Sequence, residues 1–210
     1  MDFWHVVRMM VFVMGAPFPA GALLCIAMIA MAVRGAWWRA GMLVALTLVV
    51  LGIGYATRFV DDVWHARDAL TVFVGASGHA LRAVALYPTC AWVVFAGSPR
   101  WRLLGWVIAG VVVGLAVTVS GISPSLHTVW ESLAGACIGA IMPVVVARSG
   151  DLEPLSGRVQ AWLIVVAIAF CTVAPVKRYE GERRLAARCL RYHQSPPGTL
   201  PYIRACDDNA

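Results

Sequence analysis

The chain has 210 residues, of which 60% are hydrophobic and only 13% are charged. Soluble domains carry about 25% charged residues, so this composition excludes an ordinary soluble domain and indicates a polytopic membrane protein. The net charge of +6 lies in short loops and in the C-terminal tail, where we expect it to set the membrane topology and contact anionic lipid headgroups, with no nucleic-acid partner.

Apolar runs bounded by charged or turn residues predict an all-α fold, a bundle of six membrane-spanning helices. Pro17 and Pro19 are expected to kink the first helix. We expect one membrane domain over residues 1–178, followed by an amphipathic helix and a mobile tail over 179–210. The helices are predicted at 11–33, 40–57, 79–97, 103–120, 127–147 and 159–176.

An even number of spans puts both termini, the 58–76 loop and the 121–126 loop at one membrane face. The loops of the opposite face hold more arginines, namely Arg34, Arg39, Arg100, Arg102, Arg148 and Arg158. Cytoplasmic loops are enriched in Lys and Arg, so the 58–76 and 121–126 loops are expected to face away from the cytoplasm. The basic residues directly after the last span favour the opposite orientation for the tail.

The tail offers two further patterns. Leu185, Cys189 and Tyr192, spaced among arginines, predict a helix that lies along a membrane surface. Cys189 and Cys206 could form a disulfide if the tail faces an oxidising compartment, which the sequence leaves open. The four other cysteines lie in apolar runs and are expected to pack as small hydrophobic residues.

Two short polar islands interrupt the apolar sequence. One is Ser77-Gly78-His79, expected at the start of the third helix, and the other is His127 with Glu131. Glu131 is the only acidic residue between Asp68 and Asp151. An ionisable residue at membrane depth is costly, and it is therefore a functional-site hypothesis by default.

A spacing of four residues in a helix puts His127 and Glu131 on one face. The carboxylate can then hold one imidazole nitrogen and leave the other as a base or nucleophile. The alternative is that the two side chains bond only to each other inside a bundle and have a structural role. Around Ser77 and Gly78, backbone N–H groups at a helix start suit a phosphate oxyanion.

These islands resemble two of the three motifs of the type 2 phosphatidic acid phosphatases (PAP2), membrane relatives of the vanadium haloperoxidases. Ala76-Ser77-Gly78-His79 is similar to the motif P-S-G-H. Ser120-Gly121, five residues, His127, three residues and Glu131 are similar to S-R-x5-H-x3-D, and Leu133-Ala134-Gly135 resembles its usual continuation. The likeness spans about residues 40–150.

Two positions depart from the family. If Arg58-Phe59 corresponds to the end of the first motif, K-x6-R-P, then Leu51 stands where the family has lysine. Gly121 stands where the third motif has arginine. Two of the three cations that bind the phosphoryl oxygens are thus missing from their usual places.

The resemblance implies a six-helix, metal-independent lipid phosphatase with no cofactor. It implies that His127 attacks phosphorus to form a phosphohistidine, that Glu131 orients His127, and that His79 protonates the leaving group. Phosphate binding would fall to Ser77, Gly78 and Arg58, and the cations that could compensate for the missing ones are Arg82, Arg67, Lys177 and Arg178.

The implied substrates are membrane lipids: polyprenyl pyrophosphate, phosphatidylglycerol phosphate, phosphatidic acid or a lipid A phosphate. The implied location is a bacterial inner membrane, with the active site facing the periplasm. Two other hypotheses stay open. One is a catalytically silent PAP2-like protein that binds a phosphorylated lipid or a membrane partner, and the other is a small transporter in which Glu131 relays protons.

Overall fold

The computed structural model describes residues 7–8, 11, 13–64, 75–122, 127–171 and 173, and for 58–64 it describes the backbone alone. Within these residues the chain is helical, without strands, and contains one isolated β-bridge. The prediction of an all-α fold is confirmed at this level. Six helices have their bounds there: α1 Pro17–Val33, α2 Trp37–Trp64, α3 Gly78–Phe95, α4 Arg100–Ser120, α5 Val129–Arg148 and α6 Gly157–Cys171.

The prolines near the N-terminus start a helix instead of kinking one. Residues 11 and 13 are helical, the chain turns at 14–16, and α1 begins at Pro17. Proline is well suited to the first helical position, where its missing N–H has no intrahelical partner. The predicted first helix of 11–33 is therefore wrong in its start and in the position of its kink.

Helix α3 lies at the centre of the bundle and packs against α1, α2, α4 and α5. Glycines bring its neighbours close. A Cβ atom at Gly110 of α4 would lie 2.8 Å from the carbonyl oxygen of Tyr87, and one at Gly139 of α5 would lie 2.4 Å from that of Leu81. Since real Cβ contacts are not this short, the small residues permit the close helix packing that is common in membranes.

Arginine and glutamine side chains tie the loops together at one end of the bundle. Arg34 donates to the carbonyl oxygens of Ala96, at 3.3 Å, and of Glu153. Arg39 donates to Asp151 O at 2.6 Å, and the buried Gln160 of α6 donates to Val94 O at 3.3 Å. The starts of α3 and α5 therefore lie at the other end, together with the end of α4.

Three of the helices are long and apolar enough to cross a membrane: Trp37–Thr57 within α2, Arg100–Ser120 and Val129–Arg148. In the most apolar window of each, between 28% and 33% of the residues are buried inside the protein. On α4, for example, Val112, Leu115 and Val119 are exposed. Uncovered apolar surface of this extent marks contact with a membrane or a partner, and together with the helix lengths it indicates a membrane protein.

Candidate functional site

The two polar islands meet at the shared end of α3 and α5. The backbone N–H of Ser77 donates to the carbonyl oxygen of Glu131 at 2.9 Å. Directly below, a Cβ atom at Gly135 would lie 2.4 Å from the carbonyl oxygen of Ser77. Only glycine allows the backbones of the two helices to come this close. The N-termini of α3 and α5 are therefore held side by side by a main-chain contact.

Helix α3 begins at the first island because Ser77 caps it. The hydroxyl of Ser77 accepts from the N–H of Ala80 at 3.5 Å, and the residue is only 2% exposed. The residue before it is also fixed, since Ala76 N–H donates to the hydroxyl of Thr57 on α2 at 3.1 Å. The predicted helix start at the first island is confirmed, and His79 lies in the first turn of α3.

A capping box starts α5. The hydroxyl of Thr128 accepts from Glu131 N–H at 3.3 Å, while Oε2 of Glu131 accepts from Thr128 N–H at 2.9 Å. His127 thus precedes the N-cap and lies outside the helix, so the predicted placement of His127 and Glu131 on one helical face is wrong. Their side chains still meet, because Nδ1 of His127 lies 3.4 Å from the same Oε2. Glu131 itself is buried.

The imidazole rings of His79 and His127 face one another across the two helix starts. Their centroids are 6.3 Å apart and their planes are inclined by 50°. The Nδ1 edge of His127 is engaged by the carboxylate, so its Nε2 edge is the one left for chemistry. At this spacing, one small group bound between the rings could contact both of them.

Two arginines bind main-chain carbonyls at this end of the bundle. Arg82 of α3 donates through Nε to the carbonyl oxygen of Gly15 at 3.0 Å, and its Nη1 would lie 3.2 Å from a Cβ at Gly78. Arg8 donates through Nε to the carbonyl oxygen of Ser120 at 2.8 Å and through Nη2 to that of Ile122. The sequence alone does not single out Arg8. Its only signal is a charge within an apolar N-terminal run, and its partners are more than a hundred residues away.

The other positions linked to phosphate binding add no cation to the described site. Arg58 belongs to α2, and the structure describes its backbone alone. Leu51, at the family's lysine position, is partly buried and packs against the hydrophobic core. Gly121 ends α4, with its N–H directed to the carbonyl oxygens of the last turn. Several predictions lie outside the described residues, namely those on Arg67, Lys177, Arg178 and the tail 179–210 with Cys189 and Cys206.

One buried hydroxyl stands out next to Glu131. Ser132 is 1% exposed, and within the described part of the chain its Oγ makes no hydrogen bond. Trp130, on the other side of Glu131, is 67% exposed and points away from the interior. Among the described residues, no group of three His, Cys, Asp or Glu side chains could hold a metal ion.

Comparison with models of known protein families finds none that matches this chain, and comparisons with curated proteins and with solved structures find no significant match. Any function must therefore be argued from the geometry of the described residues. The fold and the site together define a helical membrane protein with two histidines and a buried carboxylate at one end of its bundle.

Proposed function

We propose that the chain is a PAP2-type integral membrane lipid phosphatase, a six-span bundle that hydrolyses a lipid phosphomonoester or pyrophosphate through a phosphohistidine. The observation that carries the proposal is the 6.3 Å separation of the His79 and His127 rings, with Glu131 Oε2 3.4 Å from Nδ1 of His127. In this proposal His127 is the nucleophile, Glu131 is its orienting carboxylate, and His79, 48 positions before His127 in the sequence, is the acid.

In the first step, Nε2 of His127 attacks phosphorus. The N–P bond forms as the bond from phosphorus to the leaving oxygen breaks, and protonated His79 gives its proton to that oxygen. The carboxylate of Glu131 holds the Nδ1 proton and stabilises the positive charge that develops on the imidazole. Because Glu131 is buried, this interaction is stronger than it would be in water.

In the second step, water attacks the phosphohistidine. His79, now neutral, takes a proton from that water, the N–P bond breaks, and inorganic phosphate leaves with His127 and His79 back in their starting states. The lipid alcohol or lipid monophosphate has already been released from the first step. The proton balance closes without any further reactant.

The transferring phosphoryl group carries negative charge that must be stabilised. The N-terminal turns of α3 and α5 contribute N–H groups and the positive ends of two helix dipoles. Arg82 lies beside the first island, where its guanidinium borders Gly78. Arg58, Arg67, Lys177 and Arg178 remain proposed contributors.

The substrate is proposed to keep its tails in the bilayer while its phosphate reaches the helix starts. Polyprenyl pyrophosphate, phosphatidylglycerol phosphate, phosphatidic acid and a lipid A phosphate all meet this description. We place the site at the periplasmic face of a bacterial inner membrane, because the arginine-rich loops lie at the opposite end of the bundle.

A second function is favoured by one observation: Leu51 packs against the core at the position where the family has its lysine. Losing a charged donor to a transition-state oxyanion costs about 3–4 kcal/mol, or roughly two to three decades in rate. A chain with this deficit could bind a phosphorylated lipid or a membrane partner without turning it over.

Phosphate release from detergent-purified protein, measured on a panel of the four lipid phosphates, tests the catalytic proposal. His127→Ala should lower the rate at least about 1,000-fold, because the nucleophile is removed. His79→Ala should lower it about 100-fold or more, because the general acid is removed. The matched control is His193→Ala, because His193 lies in the tail and has no part in the proposed reaction. Equal release from wild type and His127→Ala would overturn the enzyme and favour the binding protein.

A further inference from the structure

Arg8 binds the main chain at the end of α4, on both sides of Gly121. Its guanidinium donates to the carbonyl oxygens of Ser120 and Ile122, the two residues on either side of Gly121. Gly121 is the position at which the third motif of the resembling family carries arginine. A guanidinium group therefore lies beside residue 121, although it is supplied by the N-terminal segment.

The same contact brings Arg8 close to the candidate nucleophile. A parallel β-bridge pairs the backbones of Ile122 and His127, and backbones paired in this way lie about 5 Å apart. The carbonyl that Arg8 holds thus belongs to the backbone neighbour of His127. The guanidinium of Arg8 and the backbone of His127 are therefore both adjacent to Ile122.

The charge of Arg8 is not neutralised by a carboxylate within the residues that the structure describes, where the only ion-pair geometry involves His127 and Glu131. A guanidinium has five N–H donors in a planar fork. Two nitrogens of Arg8 donate to the carbonyl oxygens, and its Nη1 makes no hydrogen bond to any described residue. This arrangement fixes the side chain and leaves donors for an anionic ligand.

From this geometry we infer that Arg8 supplies the phosphate-binding cation that Gly121 lacks. The inference rests on the proposed function for the identity of the ligand, a phosphoryl group at His127. Arg8 would bind two of its oxygens as arginine commonly binds phosphate. Together with Arg82, which donates to Gly15 of the same N-terminal segment, it would restore two of the cations missing from the motifs.

The competing explanation is structural. Arginine side chains near a helix C-terminus stabilise the last carbonyl groups and the negative end of the dipole. Arg39 provides a matched control, because it also donates to two loop carbonyls, Gly150 O and Asp151 O, at the opposite end of the bundle. A purely structural role predicts that the Arg8 and Arg39 variants lose thermal stability without a specific loss of anion binding.

The test measures binding of inorganic phosphate to the full-length protein in detergent, by calorimetry, together with kcat and KM on a short-chain lipid phosphate. Arg8→Ala should weaken phosphate binding about 10- to 100-fold, because a charge-assisted hydrogen bond is lost. Arg8→Lys should retain more of the affinity than Arg8→Gln, which keeps donors but has no charge. Arg39→Ala should leave phosphate affinity unchanged.

A double variant makes the positional claim specific. Arg8→Ala combined with Gly121→Arg should recover much of the lost phosphate affinity, whereas Gly121→Arg alone should leave the affinity unchanged or lower it, because the space already holds a guanidinium. If Arg8→Ala is poorly folded, the comparison of Arg8→Lys with Arg8→Gln decides the same question.

The outcomes separate the two levels of inference. The role of Arg8 would be overturned by unchanged phosphate affinity in Arg8→Gln, or by equal losses of affinity in the Arg8 and Arg39 variants. In either case, phosphate release that depends on His127 would still support the phosphatase. Absence of phosphate release from wild type, with phosphate binding that depends on Arg8, would overturn the phosphatase and keep the anion site. Absence of phosphate binding to wild type would overturn the role of Arg8.

Discussion

The contact between Gly135 and Ser77 offers a way to move the two histidines apart without touching either. In Gly135→Ala, the added Cβ atom would lie 2.4 Å from the carbonyl oxygen of Ser77. That oxygen belongs to the backbone, which cannot rotate away as a side chain can. The starts of α3 and α5 must therefore separate.

The size of the shift follows from ordinary contact distances. Van der Waals contact for such a Cβ begins near 3.4 Å, so the helix starts must separate by about 1 Å. A misplacement of about 1 Å between reacting groups can cost roughly 100-fold in rate. Overpacking of this kind also costs about 1–3 kcal/mol of stability.

Phosphate release and the thermal midpoint in detergent should be measured for Gly135→Ala beside two other glycine variants. Gly105→Ala introduces a Cβ with nothing within 4 Å and should behave like wild type in both assays. Gly139→Ala meets Leu81 O at the same 2.4 Å, but one turn farther from His127, so it should lose similar stability and less activity. Full activity in a stably folded Gly135→Ala would refute the view that spacing of the helix starts controls the site.

Four further substitutions test the description. Glu131→Gln should lower phosphate release about 100-fold or more because the charge facing His127 is lost. The thermal midpoint should change little, because an amide oxygen can still accept from Thr128 N–H. An unaltered rate would count against an orienting role. Thr128→Ala removes the hydroxyl cap of α5 and should cost about 1 kcal/mol in a denaturation assay, with turnover within a few-fold of wild type. Tyr87→Phe should cost about 1 kcal/mol through its lost 3.1 Å hydrogen bond to Met14 O, and an equal thermal midpoint would contradict it. Gly97→Ala should destabilise the fold by about 2 kcal/mol or more, since Gly97 has a φ of +78° and its Cβ would lie 2.6 Å from Pro154 N. A thermal midpoint equal to that of wild type would contradict this expectation.

The sequence predicted the positions of most of the described helices, because long apolar runs and their polar boundaries are local signals. It also predicted the start of α3, where Ser77 has the usual N-cap chemistry. The error at His127 was avoidable: Thr128 and Glu131 form the pattern of a capping box, which starts the helix after His127. The proline error has the same origin, since Pro17 is as suited to a helix start as to a kink.

The surroundings of the candidate site were harder to predict from sequence. Arg8 donates to the main-chain carbonyls of residues 120 and 122. Every residue has such a carbonyl, so the sequence does not indicate which ones an arginine will contact. The hydrogen bond of Ser77 N–H to Glu131 O is likewise independent of side-chain identity. Only the glycine at 135 hinted that two backbones would touch there.

This main-chain bond between the islands has a consequence for how such a site could change over time. The bond and the glycine beneath it, with the caps at Ser77 and Glu131, hold the two helix starts together whatever side chains occupy positions 79 and 127. Substitutions could therefore remove the chemistry while the scaffold kept its shape, and new chemistry could arise on the same frame. Resemblance of shape among such proteins would then be a poor guide to activity, which has to be measured for each chain.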